Sequence, residues 1–173
     1  MIDHRRVERI ASRLLHSLRH ELGLPRRIAD ALKQDSPLVV ADMDCKPSYW
    51  LVPLTVGDRL AGFIRLSTEG DLLSHGRFGQ GQNLVDLPPL SYLSREEADK
   101  ELKANFGSGY QNMTAASLVH DGPPERIAWM SIGESADDLR TLLFWTFGSS
   151  YSRSAHETVG DARLHVKVSP SGS

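Results

Sequence analysis

Seven apolar residues near the N-terminus, Val7, Ile10, Ala11, Leu14, Leu15, Leu18 and Leu22, recur at steps of three and four. That spacing stacks them on one stripe of an α-helix, since 3.6 residues complete a turn. Asp3 stands where a cap or an acidic group at the positive helix start belongs, and Gly23 followed by Pro25 reads as a stop. The opposite face carries Arg5, Arg6, Arg9, Arg13, Arg19, His16 and His20. A short second helix is expected over 26–33, with Pro25 near its first turn, where a missing N–H does no harm.

After Ser36-Pro37 the pattern changes from helices to strands. Residues 38–41 read as a short strand or extended connection. The segments 49–54 and 60–66 flank Val56-Gly57-Asp58-Arg59, and aromatic and β-branched residues on both sides of a Gly-Asp turn read as a β-hairpin. Pro53 cannot donate to a ladder, so its strand is expected at an edge or at a bulge. Leu72-Leu73 and Arg77-Phe78 suggest a third strand. Residues 79–91 combine Gly79 and Gly81 with Pro88-Pro89 and read as a linker.

Ser94 with Glu97 three positions on has the form of a capping box opening a helix, whose apolar edge is Ala98, Leu102 and Phe106. Strands follow over 114–119, 127–132 and 139–147, with turns at 121–124 and at Gly148-Ser149-Ser150. The last of these turns leads the chain toward Tyr151-Ser152-Arg153, and a further short strand is expected at 163–166, before a flexible tail at 169–173. The implied fold class is α+β: one domain over 1–173, its helices packed on one face of an antiparallel sheet. It is built as two helix-then-strand units, 1–78 and 92–154. Each unit offers a helix, a tryptophan strand (Tyr49-Trp50 against Ala128-Trp129), a turn and a second apolar strand, the pattern an internal duplication would leave.

Two segments carry a family resemblance. Ser-Arg-Glu-Glu-Ala opens a helix at residue 94, and Tyr-Trp-Leu-Val-Pro-Leu at 49–54 precedes Gly-Phe-Ile-Arg-Leu-Ser-Thr-Glu-Gly-Asp-Leu-Leu at 62–73. This resembles the helix-plus-hairpin pattern of PepSY-type and cystatin-like propeptide domains, over 46–78 and more faintly over 94–153. The resemblance implies a non-catalytic domain that binds or restrains a peptidase or another protein.

Lys and Arg number 20 against 22 Asp and Glu, a formal net charge of −2, which argues against a whole-surface grip on nucleic acid. Cys45 is the only cysteine, so no intramolecular disulfide can form. The first residues, Met-Ile-Asp-His-Arg-Arg, contain no apolar run of signal-peptide type, and no stretch approaches the roughly 18–20 apolar residues of a membrane span. The expected location is the cytoplasm.

No constellation of catalytic type stands out. Gly76-Arg77-Phe78-Gly79-Gln80-Gly81 lacks both the dinucleotide and the P-loop spacing, and nothing after it starts a helix. Asp42 and Asp44 share a face on an extended strand and, with His75 and Arg77, form the best ligand-site candidate. The histidines carry no zinc spacing, and neither a metal nor a cofactor is expected. Arg5, Arg6, Arg9 and Arg13 form the most functional-looking surface, although a solvated face is the plainer reading. The leading expectation is a non-catalytic domain holding a protein or peptide through an exposed strand edge or this basic helix. The competing readings are a small enzyme or ligand-binding protein around Asp42, Asp44, His75 and Arg77, and nucleic-acid binding through the first helix. Apolar residues on both faces of 142–147 suggest a homodimer contact.

Overall fold

A computed structural model describes residues 1–123, 125–137 and 139–155; the strand expected at 163–166 and the tail at 169–173 lie outside the described residues. Within them the chain is α+β, with three α-helices and ten strands. It divides between Ser94 and Arg95 into two compact units. No helix among the described residues is long and apolar enough to cross a membrane.

The first unit contains α1 (His4–Leu18), α2 (Arg26–Ala31), β1 (Lys33–Gln34), β2 (Leu38–Ala41), β3 (Pro47–Val56), β4 (Arg59–Ser67) and β5 (Leu72–Arg77). Asp3 caps α1 as its position implied, its carboxylate accepting the Arg6 N–H at 2.9 Å. The helix stops at Leu18, one turn short of the apolar pattern, but Leu22 is still buried by the turn that follows. Val7, Ala11, Leu15 and Leu22 pack with Ile28 and Leu32 on Trp50, Val52 and Leu54 of β3 and Ile64 and Leu66 of β4. These strand residues alternate onto one face, so α1 and α2 cover one side of an antiparallel sheet. Burying each larger apolar side chain is worth about 1.5–3 kcal/mol, which outweighs the small propensity differences along α1.

The second helix is shorter than expected. Leu32 leaves the helical region with ψ 134°, and Lys33 and Gln34 pair with Thr55 and Leu54 as a strand. Pro53 therefore sits in an interior strand, because β3 has β4 on one side and both β2 and β1 on the other. The β2 ladder reaches Leu51 and the β1 ladder begins at Leu54, so the proline falls in the gap where no N–H is required. Its carbonyl is used, accepting the Asp35 N–H at 2.9 Å. The β3–β4 hairpin closes as expected through Gly57-Asp58, with Gly57 at φ 60°, the first position of a two-residue hairpin turn that favours glycine.

Residues 79–91 are not a free linker but fold back on the first unit. Single 3-10 turns form at Leu84–Asp86 and Leu90–Leu93. Leu87 is 2% exposed and belongs to the α1 core, the Leu60 N–H donates to Pro88, and the Leu90 N–H donates to Asp58. Burial of the apolar Leu87 and the two backbone hydrogen bonds together offset the ordering of the glycines on either side of Gln80.

The second unit contains α3 (Arg95–Phe106), β6 (Asn112–Met113), β7 (Ser117–His120), β8 (Ile127–Glu134), β9 (Arg140–Thr146) and β10 (Ser149–Ser154). Of the strand expected over 114–119 only 117–119 is strand, as part of β7; β6 lies just ahead of the expected span, and both β6 and β7 pair with β8. Strand β9 lies on the other side of β8, β10 pairs with β9, and α3 packs on β9 and β8 with Ala98 and Leu102 buried. The β9–β10 turn is Phe147-Gly148, one residue earlier than expected, with φ 47° and 103° at its two positions. Leu142, Leu143, Phe144 and Trp145 are all buried within the chain, so β9 leaves neither face open and no longer motivates a homodimer contact.

The two units repeat one strand order: two short strands beside one edge of a long tryptophan strand, then two more strands in succession. Lys33 to Asn112, Leu38 to Ser117, Trp50 to Trp129 and Leu66 to Trp145 are each a step of 79 residues. Trp50 lies between Val39 and Leu66, and Trp129 lies between Leu118 and Trp145 in the same register. The repeat fails ahead of these strands, where the first unit has α1 and α2 and the second has α3 alone.

Candidate functional site

The residues of α1 that face away from its core form two groups. Arg5, Glu8, Arg9 and Ser12 follow one another at steps of three, one and three and therefore share a ridge. With Gln34 of β1 they line an open cleft of about 610 Å³. Arg6 and Arg13, one face further round, are exposed but do not line it. The four arginines singled out in the sequence are thus separated by the structure into two that line a concavity and two that do not.

The cleft depends on β1. Only because Lys33 and Gln34 pair with β3 does the Gln34 side chain come beside the helix. Its Oε1 is buried without a hydrogen-bond partner, and a buried acceptor without a donor costs about 1–3 kcal/mol. Glu8 faces His4 at 3.5 Å, while the guanidinium groups of Arg5 and Arg9 hold no carboxylate among the described residues. The lining is therefore two cations without a carboxylate, one carboxylate engaged with an imidazole, a hydroxyl and the Gln34 side chain, whose Oε1 is turned inward. Such a set can hold an anionic ligand. It has no nucleophile paired with a base. No sequence pattern pointed to Gln34.

The second set of sequence candidates does not converge. Asp42 Oδ1 accepts the N–H groups of Asp44 and Lys46 at 2.9 Å each, which makes it the anchor of the turn into β3. Asp44 lies on that turn, 4.0 Å from the Lys46 ammonium. His75 lies opposite Ile64, which lies opposite Val52, five residues along β3 from Pro47 at the Asp42 end. At about 3.3 Å per residue, and with two further strand spacings between, the pairs are too far apart for one ligand. His75 faces Glu21 at 3.8 Å. Arg77 donates to the Gly79 carbonyl at 3.0 Å, to the Gly23 carbonyl at 2.8 Å and to the Gly81 carbonyl, so its fork is consumed in holding loops. Among the described residues no three His, Cys, Asp or Glu side chains are grouped to hold a metal ion.

One cluster had no signal in the sequence. Asp121, at the end of β7, accepts from Arg153 Nη1 and Nη2 at 2.5 and 2.7 Å and from the Tyr151 hydroxyl at 2.5 Å, with Arg126 Nη2 at 3.7 Å. The Tyr151 ring stacks on Phe144 with centroids 4.8 Å apart, and Arg153 lies over both rings at 5.6 Å. Burial holds the Tyr151 phenol well above its ordinary range, aided by the hydrogen bond and negative charge of Asp121 and opposed by the two arginines. A phenol that keeps its proton through neutrality is not a base there, and the carboxylate is engaged by three hydrogen bonds. The cluster pins β10 to the β7–β8 turn, and its parts are about 30 residues apart in sequence, too far for any local pattern to show.

No family model, curated protein or solved structure matches this chain.

Proposed function

We propose that this protein is a non-catalytic binding domain that holds a protein or peptide partner against the arginine ridge of α1. The observation that carries the reading is the cleft itself, where Arg5 and Arg9 face solvent without a carboxylate among the described residues, beside Gln34 of β1. A solvated arginine face needs no concavity and no second element, whereas here β1 supplies both. The resemblance of 46–78 to propeptide domains points the same way. The scatter of Asp42, Asp44, His75 and Arg77 removes the convergence that an enzyme built on them would need.

The test is partner retention by the full chain carrying both Arg5→Glu and Arg9→Glu. Both side chains are exposed, so the fold is retained, as far-ultraviolet circular dichroism checks. Binding through this ridge predicts that partners held by the wild type are lost from the double variant. Their equal retention by both overturns the reading.

A further inference from the structure

Arg5 and Arg9 stand one helical turn apart, about 6 Å along the axis of α1, on the ridge that walls one side of the cleft. Neither guanidinium meets a carboxylate among the described residues, and their flexible stems let both turn onto one group between them. Ser12 continues the ridge with an exposed hydroxyl. Gln34, on the β1 side, has its Oε1 turned inward, so the arm of the amide left to the cleft is the Nε2 donor. Glu8 is the carboxylate of the lining, and the His4 imidazole engages it at 3.5 Å. The cleft thus offers donors and uncompensated positive charge to a compact acceptor.

Charge and oxygen count choose among such acceptors. A carboxylate brings a single charge and is satisfied by one guanidinium fork, which leaves the second arginine as it was. A phosphomonoester brings a charge of about −1.5 to −2 near neutrality and three terminal oxygens, enough for both forks and a further donor. Glu8, between the two arginines on the ridge, opposes a second anionic group beside the first and so disfavours a phosphodiester chain. The apolar stripe of α1 is spent in the core, so the helix has no apolar face to insert beside lipid phosphates.

We infer that the cleft between α1 and β1 receives a phosphorylated side chain of a protein or peptide partner, its phosphoryl group held by Arg5 and Arg9 together, with the Ser12 hydroxyl and the Gln34 amide N–H as further donors. The inference rests on the binding role proposed above and adds the chemical group of the partner that the cleft reads.

The experiment is a fluorescence-anisotropy titration of the full chain with end-blocked, labelled Gly-Ala octapeptides carrying phosphoserine, glutamate or serine at one central position. A labelled trithymidylate, whose phosphodiesters match the charge of the phosphoserine, is titrated beside them. The phosphoserine peptide is expected to bind most tightly. Arg5→Gln and Arg9→Gln each weaken it, and together do so by about threefold to tenfold, as exposed ion pairs allow. Gln34→Met, which keeps the length and removes the amide donor, weakens it by less, and Glu8→Gln tightens it. Equal binding of the phosphoserine and glutamate peptides, or indifference of the phosphoserine peptide to either arginine, overturns the inference. Tighter binding of trithymidylate overturns the assignment to a single phosphoryl group on a peptide. Partners retained by the wild type are expected to be released by phosphatase. If dephosphorylated partners are still held through Arg5 and Arg9, this inference fails and the binding role stands. If retention ignores both arginines, the two fail together.

Discussion

Arg153 grips the buried Asp121 carboxylate with both terminal nitrogens, at 2.5 and 2.7 Å, across 32 residues of sequence. Asp121 is 2% exposed and has a second guanidinium, Arg126, 3.7 Å away. Removing one member of a buried ion pair costs more than the pair is worth, because the other charge stays behind in a poor solvent. Arg153→Met is therefore expected to destabilise the second unit by about 3 kcal/mol or more, which leaves the carboxylate to Arg126 and Tyr151. Asp121→Asn is expected to cost less, since the arginines it releases are both partly exposed. Urea unfolding of the two variants checks the order; a larger loss for Asp121→Asn contradicts it.

The Tyr151 phenol ties stability to alkaline pH. Its folded pKa is raised by burial and by Asp121, above the 10.0 of an unfolded tyrosine. The stabilisation is complete below that unfolded value. It is lost as pH rises above it, because the unfolded chain then releases a proton that the folded chain keeps. The urea midpoint is expected to fall above about pH 10, and Tyr151→Phe to remove part of that fall. An unchanged alkaline slope in the variant counts against the assignment.

Leu87 tells a docked segment from a linker. It is buried with the α1 core, and Leu→Ala at such sites costs about 2–5 kcal/mol. Leu87→Ala is expected to lower the thermal midpoint of the first unit and to expose 79–91 to limited proteolysis. A tether between units would show neither change.

Gln34 carries a buried acceptor at a cost to the fold. Gln34→Met removes that acceptor, and the chain is expected to gain up to about 1 kcal/mol. Urea unfolding of the variant beside the wild type checks it. A destabilised variant would mean that the amide is satisfied in solution.

The fold class was legible because its signals are local. The α1 stripe, the Gly57-Asp58 hairpin and the paired tryptophans each lie within a few residues of what they specify. The repeat was visible as a likeness of pattern, but its constant step of 79 residues needed β6 and β7 to be seen as separate strands matching β1 and β2. The arginine face was legible too, and its division into cleft-lining Arg5 and Arg9 and outlying Arg6 and Arg13 was not. That division depends on where β1 lies, and a two-residue strand has too little periodicity to announce itself.

By itself the sequence determined which segments are helical, where the main hairpin turns and which helix face is cationic. Spacing of 3.6 or 2 residues and the steric needs of glycine and proline act within a few bonds. Tertiary structure alone decided that Pro53 sits in an interior strand, that 79–91 is docked through Leu87, that Asp121 meets Tyr151 and Arg153, and that Gln34 stands beside Arg5 and Arg9. Each of these depends on which remote segments pair and in what register. That choice is made by the shared burial of many apolar side chains at once, a property of the packed unit that no local window contains.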